Sequence, residues 1–249
     1  MAEVHIKEFR LEDMPLSCTM IIIAPPATGK TEFMLNVAYY KRHIYPVAKV
    51  FIGTEDGYKR FCDIFPPLYV LNYYDEEEEK RYINRQKRCV MEEGKESLSS
   101  HSINIIDDAS DDPKIYKTPL MKGIFKLGSQ HWAQICMIGT QYSVDFPPDI
   151  RNAVSYVAIG RQPDEVERKK LYTNFGGICG SYERFCDLMD QLTGDYTFMV
   201  IKKRSQTNNI EDCVYWYKTK KLGSWKFGCA EYREHDALRR NANYQEQFM

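Results

Sequence analysis

The chain has 249 residues, with 34 Lys+Arg against 35 Asp+Glu, for a formal charge of −1. Its 43% apolar and 13% aromatic content and mean hydropathy of −0.52 exclude a disordered or collagen-like chain, and the length suffices for one large α/β domain with a sizeable core. No apolar run approaches the ~20 residues of a membrane helix, and no basic-then-apolar secretory pattern opens the sequence, so a soluble, cytosolic chain without a membrane span is expected.

Taken in chain order, Cys18 to Ala24 reads as a buried strand and Pro25-Pro26-Ala27-Thr28-Gly29 as a loop. Phe33, Met34, Val37 and Ala38 then fall on one face of a helix. Val47 to Gly53 is a second strand. Asp75 is placed to N-cap a helix running to about Glu96, with Glu78 three residues on as in a capping box. The acidic run Asp75 to Glu79 fits a first turn that offsets the helix dipole better than a docking site for a basic partner. Ser102 to Asp108 is a third strand, Pro119 to about Gly128 a helix, Gln134 to Thr140 a fourth strand and Val154 to Ile159 a fifth. Glu165 to Tyr172 is helical, Gly176-Gly177 and Gly180 mark a loop, and Tyr196 to Lys202 and Cys213 to Lys218 are late strands. Strands alternating with helices predict a mainly parallel central sheet with helices on both faces. No linker or repeat interrupts the pattern. The expected organisation is a single domain, with a core over 1–204 and a basic, aromatic extension over 205–249 packed on it.

The eight cysteines (18, 62, 89, 136, 179, 186, 213 and 229) include no C-x-x-C and no zinc-type pairing with His. They are expected to be reduced and mostly buried.

Chemistry concentrates in Ala24-Pro25-Pro26-Ala27-Thr28-Gly29-Lys30-Thr31. This is the phosphate-binding loop G-x-x-x-x-G-K-[ST] with Ala at its first position, and it sits where that loop must sit, after an apolar strand and opening a helix. Backbone N–H groups from Ala27 through Glu32 would face phosphate oxygens at the positive end of the helix. Lys30 would put a point charge on the β- and γ-phosphates of ATP, and the Thr31 hydroxyl would ligate Mg²⁺. The strand Ile103 to Asp108 ends on two acids. Asp107 fits the second Mg²⁺ partner and Asp108 the group that orients or deprotonates water. With Asp108 where many motor ATPases carry Glu, the reach of that side chain is shorter. The fourth strand ends at Gln141, which either senses the γ-phosphate or is a polar strand end; spacing alone does not decide. Arg151, and after it Arg161, are placed to act on a neighbouring subunit's nucleotide as arginine fingers do, and read equally as solvated arginines. Neither an N-K-x-D guanine motif nor an L-S-G-G-Q transporter signature is present, leaving ATP as the default nucleotide.

The loop, the Asp107-Asp108 strand and Thr140-Gln141-Tyr142 followed by Pro147-Pro148-Asp149-Ile150-Arg151 together resemble the poxvirus-type DNA-packaging ATPases of large nucleocytoplasmic DNA viruses, within the FtsK–HerA superfamily and nearest in general look to an iridovirus-like branch. The match spans about Met14 to Arg161. The resemblance implies a RecA-like P-loop fold, a homo-oligomeric ring, a capsid or portal partner, and ATP-driven movement of double-stranded DNA into a preformed capsid. It implies a place in the host cytoplasm at viral assembly sites and in the virion. It assigns nucleotide and metal binding to Gly29, Lys30 and Thr31, metal and water to Asp107 and Asp108, sensing to Gln141 and action in trans to Arg151. Between Phe198 and Arg240 there are 10 basic and 5 acidic residues, a local excess of +5. Lys202-Lys203-Arg204, Lys218, Lys220-Lys221 and Arg239-Arg240 are candidate DNA-phosphate contacts there, as is Arg168-Lys169-Lys170 upstream. Tyr215, Trp216, Tyr217 and Trp225 interleave with these charges and read either as stacking groups or as core. Two competing functions stay open: a small-molecule P-loop kinase, and a non-catalytic assembly factor that uses ATP as a switch.

Overall fold

The computed structural model describes residues 5–109, 112–143 and 146–246, with side chains to residue 240. Val144 and Asp145, and the last three residues of the expected extension, lie outside the described residues. Nine strands form one sheet: β1 (Lys7–Glu8), β2 (Cys18–Ile23), β3 (Val47–Ile52), β4 (Val70–Leu71), β5 (Ser102–Asp107), β6 (Gln134–Thr140), β7 (Tyr156–Ile159), β8 (Thr197–Lys202) and β9 (Val214–Lys218). Their spatial order is β1-β9-β8-β7-β2-β6-β5-β3-β4. Neighbours run parallel except at β7–β8 and β8–β9, because β8 alone is reversed. The predicted mainly parallel sheet is therefore observed, with β6 inserted between the loop-bearing β2 and the acid-bearing β5.

Helices α1 (Lys30–Lys41), α2 (Glu55–Cys62), α3 (Glu76–Glu93), α4 (Pro119–Gly123), α5 (Ser129–His131), α6 (Pro148–Ala153), α7 (Glu165–Phe175), α8 (Tyr182–Leu192) and α9 (Ala230–Glu246) surround the sheet. Side chains alternate between its faces, as the two-residue period of a strand requires. Met20 and Ile22 join Phe33, Met34 and Val37 of α1 in one apolar cluster. Ile21 and Ile23 join Ile83 of α3, Leu171 of α7 and Phe185 of α8 in the other. Burial on both faces explains the near-continuous apolar runs of β2 and β6.

Asp75 caps α3 by accepting from the N–H groups of Glu77 and Glu78. The Glu78 carboxylate does not complete a capping box, because it accepts from Lys49 of β3 at 2.9 Å and pairs with Arg81. The helix predicted over 119–128 is α only to Gly123 and continues as a π-turn over Ile124–Gly128. The expected division at 204/205 falls between the paired strands β8 and β9. Two of the late aromatics are core: Tyr217 is buried, with its hydroxyl donating to Asn36 Oδ1 at 2.7 Å, and Trp225 packs edge-on against Tyr39. The last described element, α9, is held where Tyr232 donates to the Ala48 carbonyl at 2.7 Å and Asp236 accepts from Leu68 N–H at 2.8 Å.

Candidate nucleotide site

β2, β5 and β6 run in register, so their C-terminal ends arrive together: Ile23 lies opposite Thr140, and Asp107 opposite Gly139. At the end of β2 the chain turns through Ala27 (φ 60°) and Gly29 (φ 96°) before α1 begins at Lys30. Both are left-handed conformations, strained for Ala27 and unstrained for Gly29. Thr28 Oγ1 donates to the Pro25 carbonyl at 2.6 Å and ties the loop across its mouth.

Lys30 is 7% exposed, and its ammonium pairs with Asp108 Oδ2 and lies 3.2 Å from Asp107 Oδ1. Thr31 Oγ1 donates to Asp107 Oδ2 at 2.9 Å. Gln141 Nε2 donates to Asp108 Oδ2 at 3.2 Å, from the segment just past β6. Five of the sequence-predicted residues, Lys30, Thr31, Asp107, Asp108 and Gln141, thus form one connected cluster at the top of three strands. Gly139 makes the cluster possible: a Cβ there would lie 2.4 Å from Asp107 Oδ1 and 2.5 Å from Met34 Cε. Asp108 itself has φ 46°, which turns its carboxylate out of the strand direction.

Burial pushes the Asp107 carboxyl above its ordinary value, and the Lys30 cation pulls it back down. Asp107 Oδ1 is buried without a hydrogen bond; the Lys30 ammonium is in ion-pair contact only. An orphaned carboxylate oxygen beside a threonine hydroxyl is a hard-oxygen donor set that suits Mg²⁺, a cation that takes its other ligands from phosphate and water. Among the described residues no group of three His, Cys, Asp or Glu forms a protein-only cage.

Other expected residues lie elsewhere or are engaged. The Glu32 carboxylate faces Arg60 of α2, with Arg60 Nε 3.1 Å from Glu32 Oε1, leaving only the Glu32 backbone to the loop. Arg151, on α6, donates to Asn174 Oδ1 of α7, and no described contact joins it to the cluster. Arg161 pairs with Asp190 of α8 at 3.1 Å, and Arg168 grips the same carboxylate with two N–H groups at 2.6 and 3.1 Å. Of the other candidate cations, Lys170 pairs with Glu167, Lys218 with Asp195 and Arg240 with Asp236. Lys202 and Lys203 line a cavity of about 420 Å³ at the opposite end of β8 from the loop.

Two features escaped sequence reading. Arg60 is joined to the loop helix only through space. Ala24 is fully buried with Gly160 across from it, where a Cβ would come within 2.7 Å of the Ala24 methyl.

This sheet order and this cluster define an α/β chain with the fold of the P-loop NTPases. No protein-family model matches it. It is 35% identical over 230 residues to uncharacterized protein 075L of Invertebrate iridescent virus 6, covering 90% of this chain and 87% of that one. Against uncharacterized protein 088R of Invertebrate iridescent virus 3 the identity is 31% over 223 residues, covering 88% and 83%. The chain belongs to the iridovirus protein family that these two relatives represent. Its fold is that of B204, the DNA-packaging ATPase from Sulfolobus turreted icosahedral virus, with a TM-score of 0.57 at 17% identity over 83% of this chain and 99% of that one.

Proposed function

We propose that the chain is an Mg²⁺-dependent ATPase of the FtsK–HerA type that acts as a homo-oligomeric ring and drives double-stranded viral DNA into a preformed capsid. The observation that carries the catalytic part is the single cluster of Lys30, Thr31, Asp107, Asp108 and Gln141 at the strand ends. The packaging part is supported by the iridovirus kinship and by the fold shared with a DNA-packaging ATPase.

The chemistry follows from what each side chain holds. Thr31 Oγ1 and Asp107 are the groups that would hold Mg²⁺, which supplies positive charge to the β- and γ-phosphate oxygens. Loop N–H groups from Ala27 to Glu32 and the α1 dipole bind and orient the triphosphate. Lys30, resting on two carboxylates, exchanges them for phosphate oxygens. Asp108, released from that pair, accepts a hydrogen bond from the attacking water and takes its proton, while the Gln141 amide keeps the carboxylate aimed. Arg151 stands as the trans arginine of a neighbouring subunit, a role that requires it to leave Asn174. The basic residues between Phe198 and Arg240 are the source of DNA-phosphate contacts.

Hydrolysis of ATP by wild type and Lys30→Ala, with and without double-stranded DNA across a salt series, tests the reading. Stimulation by DNA that fades as salt rises, and hydrolysis that vanishes in the variant, are expected. Turnover unchanged in Lys30→Ala would remove the catalytic assignment. Hydrolysis indifferent to DNA at every salt concentration would count against the motor; ATP-dependent oligomerisation without turnover would favour the switch, and transfer of phosphate to a small acceptor would establish the kinase.

A further inference from the structure

Tyr196 is the structural oddity nearest the phosphate loop. It precedes β8, the reversed strand, so the turn leading into β8 comes up at the same end of the sheet as the loop that follows β2. Gly194 (φ 142°), Asp195 (φ 47°) and Tyr196 (φ 60°) are three consecutive residues with positive φ, two of them non-glycine. Such backbone costs energy and persists only where its surroundings hold it. Here they do. The Tyr196 carbonyl accepts from Thr219 N–H at 3.0 Å and from Thr219 Oγ1 at 3.2 Å. Asp195 pairs with Lys218 at 2.5 Å, and Thr197 N–H donates to the Gly194 carbonyl at 2.9 Å.

All this fastening presents a ring that is not buried. Tyr196 is 56% exposed, among the large apolar side chains left open to water. Its ring lies against the phosphate loop: a Cβ on Gly29 would stand 3.0 Å from Tyr196 Cδ1. A water-exposed aromatic face on a fastened turn, beside the residue whose N–H would hold phosphate, is placed for the part of the ligand that leaves the phosphates, the sugar and base. Aromatic faces accept nucleobases by stacking, at lower cost when the backbone that carries the ring is already held in place.

We propose that Tyr196 is the stacking platform for the purine base of the bound nucleotide, with Thr219 and Lys218 as positioning residues that hold its turn in the strained form. This rests on the nucleotide-binding reading above. It predicts a division of affinity: the loop, Lys30 and Thr31 bind the triphosphate, and Tyr196 distinguishes a nucleoside triphosphate from inorganic triphosphate.

The test is calorimetric binding of ATP and of inorganic triphosphate, each with Mg²⁺, to the full chain as wild type, Tyr196→Ala, Tyr196→Phe and Lys30→Ala. Loss of one stacked base weakens binding about 10-fold. The expected result is that Tyr196→Ala weakens ATP by that factor and leaves inorganic triphosphate unchanged, Tyr196→Phe binds ATP as wild type does, and Lys30→Ala weakens both ligands. ATP bound as tightly by Tyr196→Ala as by wild type, with Lys30→Ala still impaired, overturns the stacking role and leaves the phosphate site standing. Equal weakening of ATP and inorganic triphosphate by Tyr196→Ala also overturns it, since the ring would then be shaping the loop. Wild type that binds neither ligand overturns the nucleotide reading itself.

Discussion

Strand β5 carries two buried polar sites three residues apart, and they have opposite characters. At its end, Asp107 is 2% exposed and faces a lysine ammonium and a threonine hydroxyl. In its middle, Asn104 Nδ2 donates to Glu79 Oε1 of α3 at 2.5 Å, and Glu79 is fully buried. Burial raises both carboxyls. Glu79 is pushed up to about 7, lowered only partly by the Asn104 hydrogen bond and by Lys49. Nearby Lys49 pairs instead with Glu78 at 2.9 Å. Desolvation alone therefore does not mark a working acid. What separates the two sites is a cation in direct contact at one, and a neutral amide in its place at the other.

The largest break in this comparison is Asp108→Asn. The substitution keeps the shape and the Gln141 neighbour but removes the proton acceptor, so ATP should still bind while single-turnover hydrolysis falls by about 10²- to 10⁴-fold. Hydrolysis within a few-fold of wild type would show that another group takes the proton.

Glu79→Gln probes the other site and should leave hydrolysis alone. An acid whose folded pKa lies above its unfolded value favours the folded state fully below the unfolded pKa, and loses that contribution as pH rises through the folded one. For Glu79 the window runs from an ordinary glutamate's 4.5 to about 7, a contribution of about 3 kcal/mol. Denaturant unfolding of wild type and Glu79→Gln across that window should give a stability difference that shifts in favour of the variant as pH rises. A difference that stays flat would mean that Glu79 titrates as an ordinary exposed acid.

The smallest effect belongs to Tyr82, whose buried hydroxyl donates to the Ile103 carbonyl at 2.9 Å on the same strand. Tyr82→Phe should cost about 1 kcal/mol of stability without a change in nucleotide affinity. A change in affinity would couple the α3 side of β5 to the site at its tip.

The nucleotide end of the sheet was the legible part of the sequence, because its information is local. Gly29-Lys30-Thr31 is contiguous, it follows an unbroken apolar run, and Gln134 to Thr140 has the observed bounds of β6. Elements held by few contacts were not legible. β1 and β4 are two residues long, and between Ala230 and Arg240 only Tyr232 and Asp236 of α9 are buried. Helix α8 did carry a signal, with Ser181 as N-cap and Phe185, Leu188 and Met189 on one face, in a stretch where the nearby glycines drew attention to a loop instead. Geometry that depends on two distant segments leaves no trace in spacing. The pairing of Glu32 with Arg60 and the seating of Tyr196 against Gly29 are of that kind.

The alanine that opens the phosphate loop has a partner in this sense. Ala24 donates its N–H to the Thr140 carbonyl, Gly160 donates its own to the Ile23 carbonyl, and the two residues face each other across adjacent strands. One methyl fits in that gap and two do not. The room that a glycine would leave at position 24 is in effect carried on the neighbouring strand at position 160, so the two positions share one volume. A methyl at position 160 would need both glycine at position 24 and a small shift of the Phe198 ring, which stands 3.3 Å from where that methyl would lie.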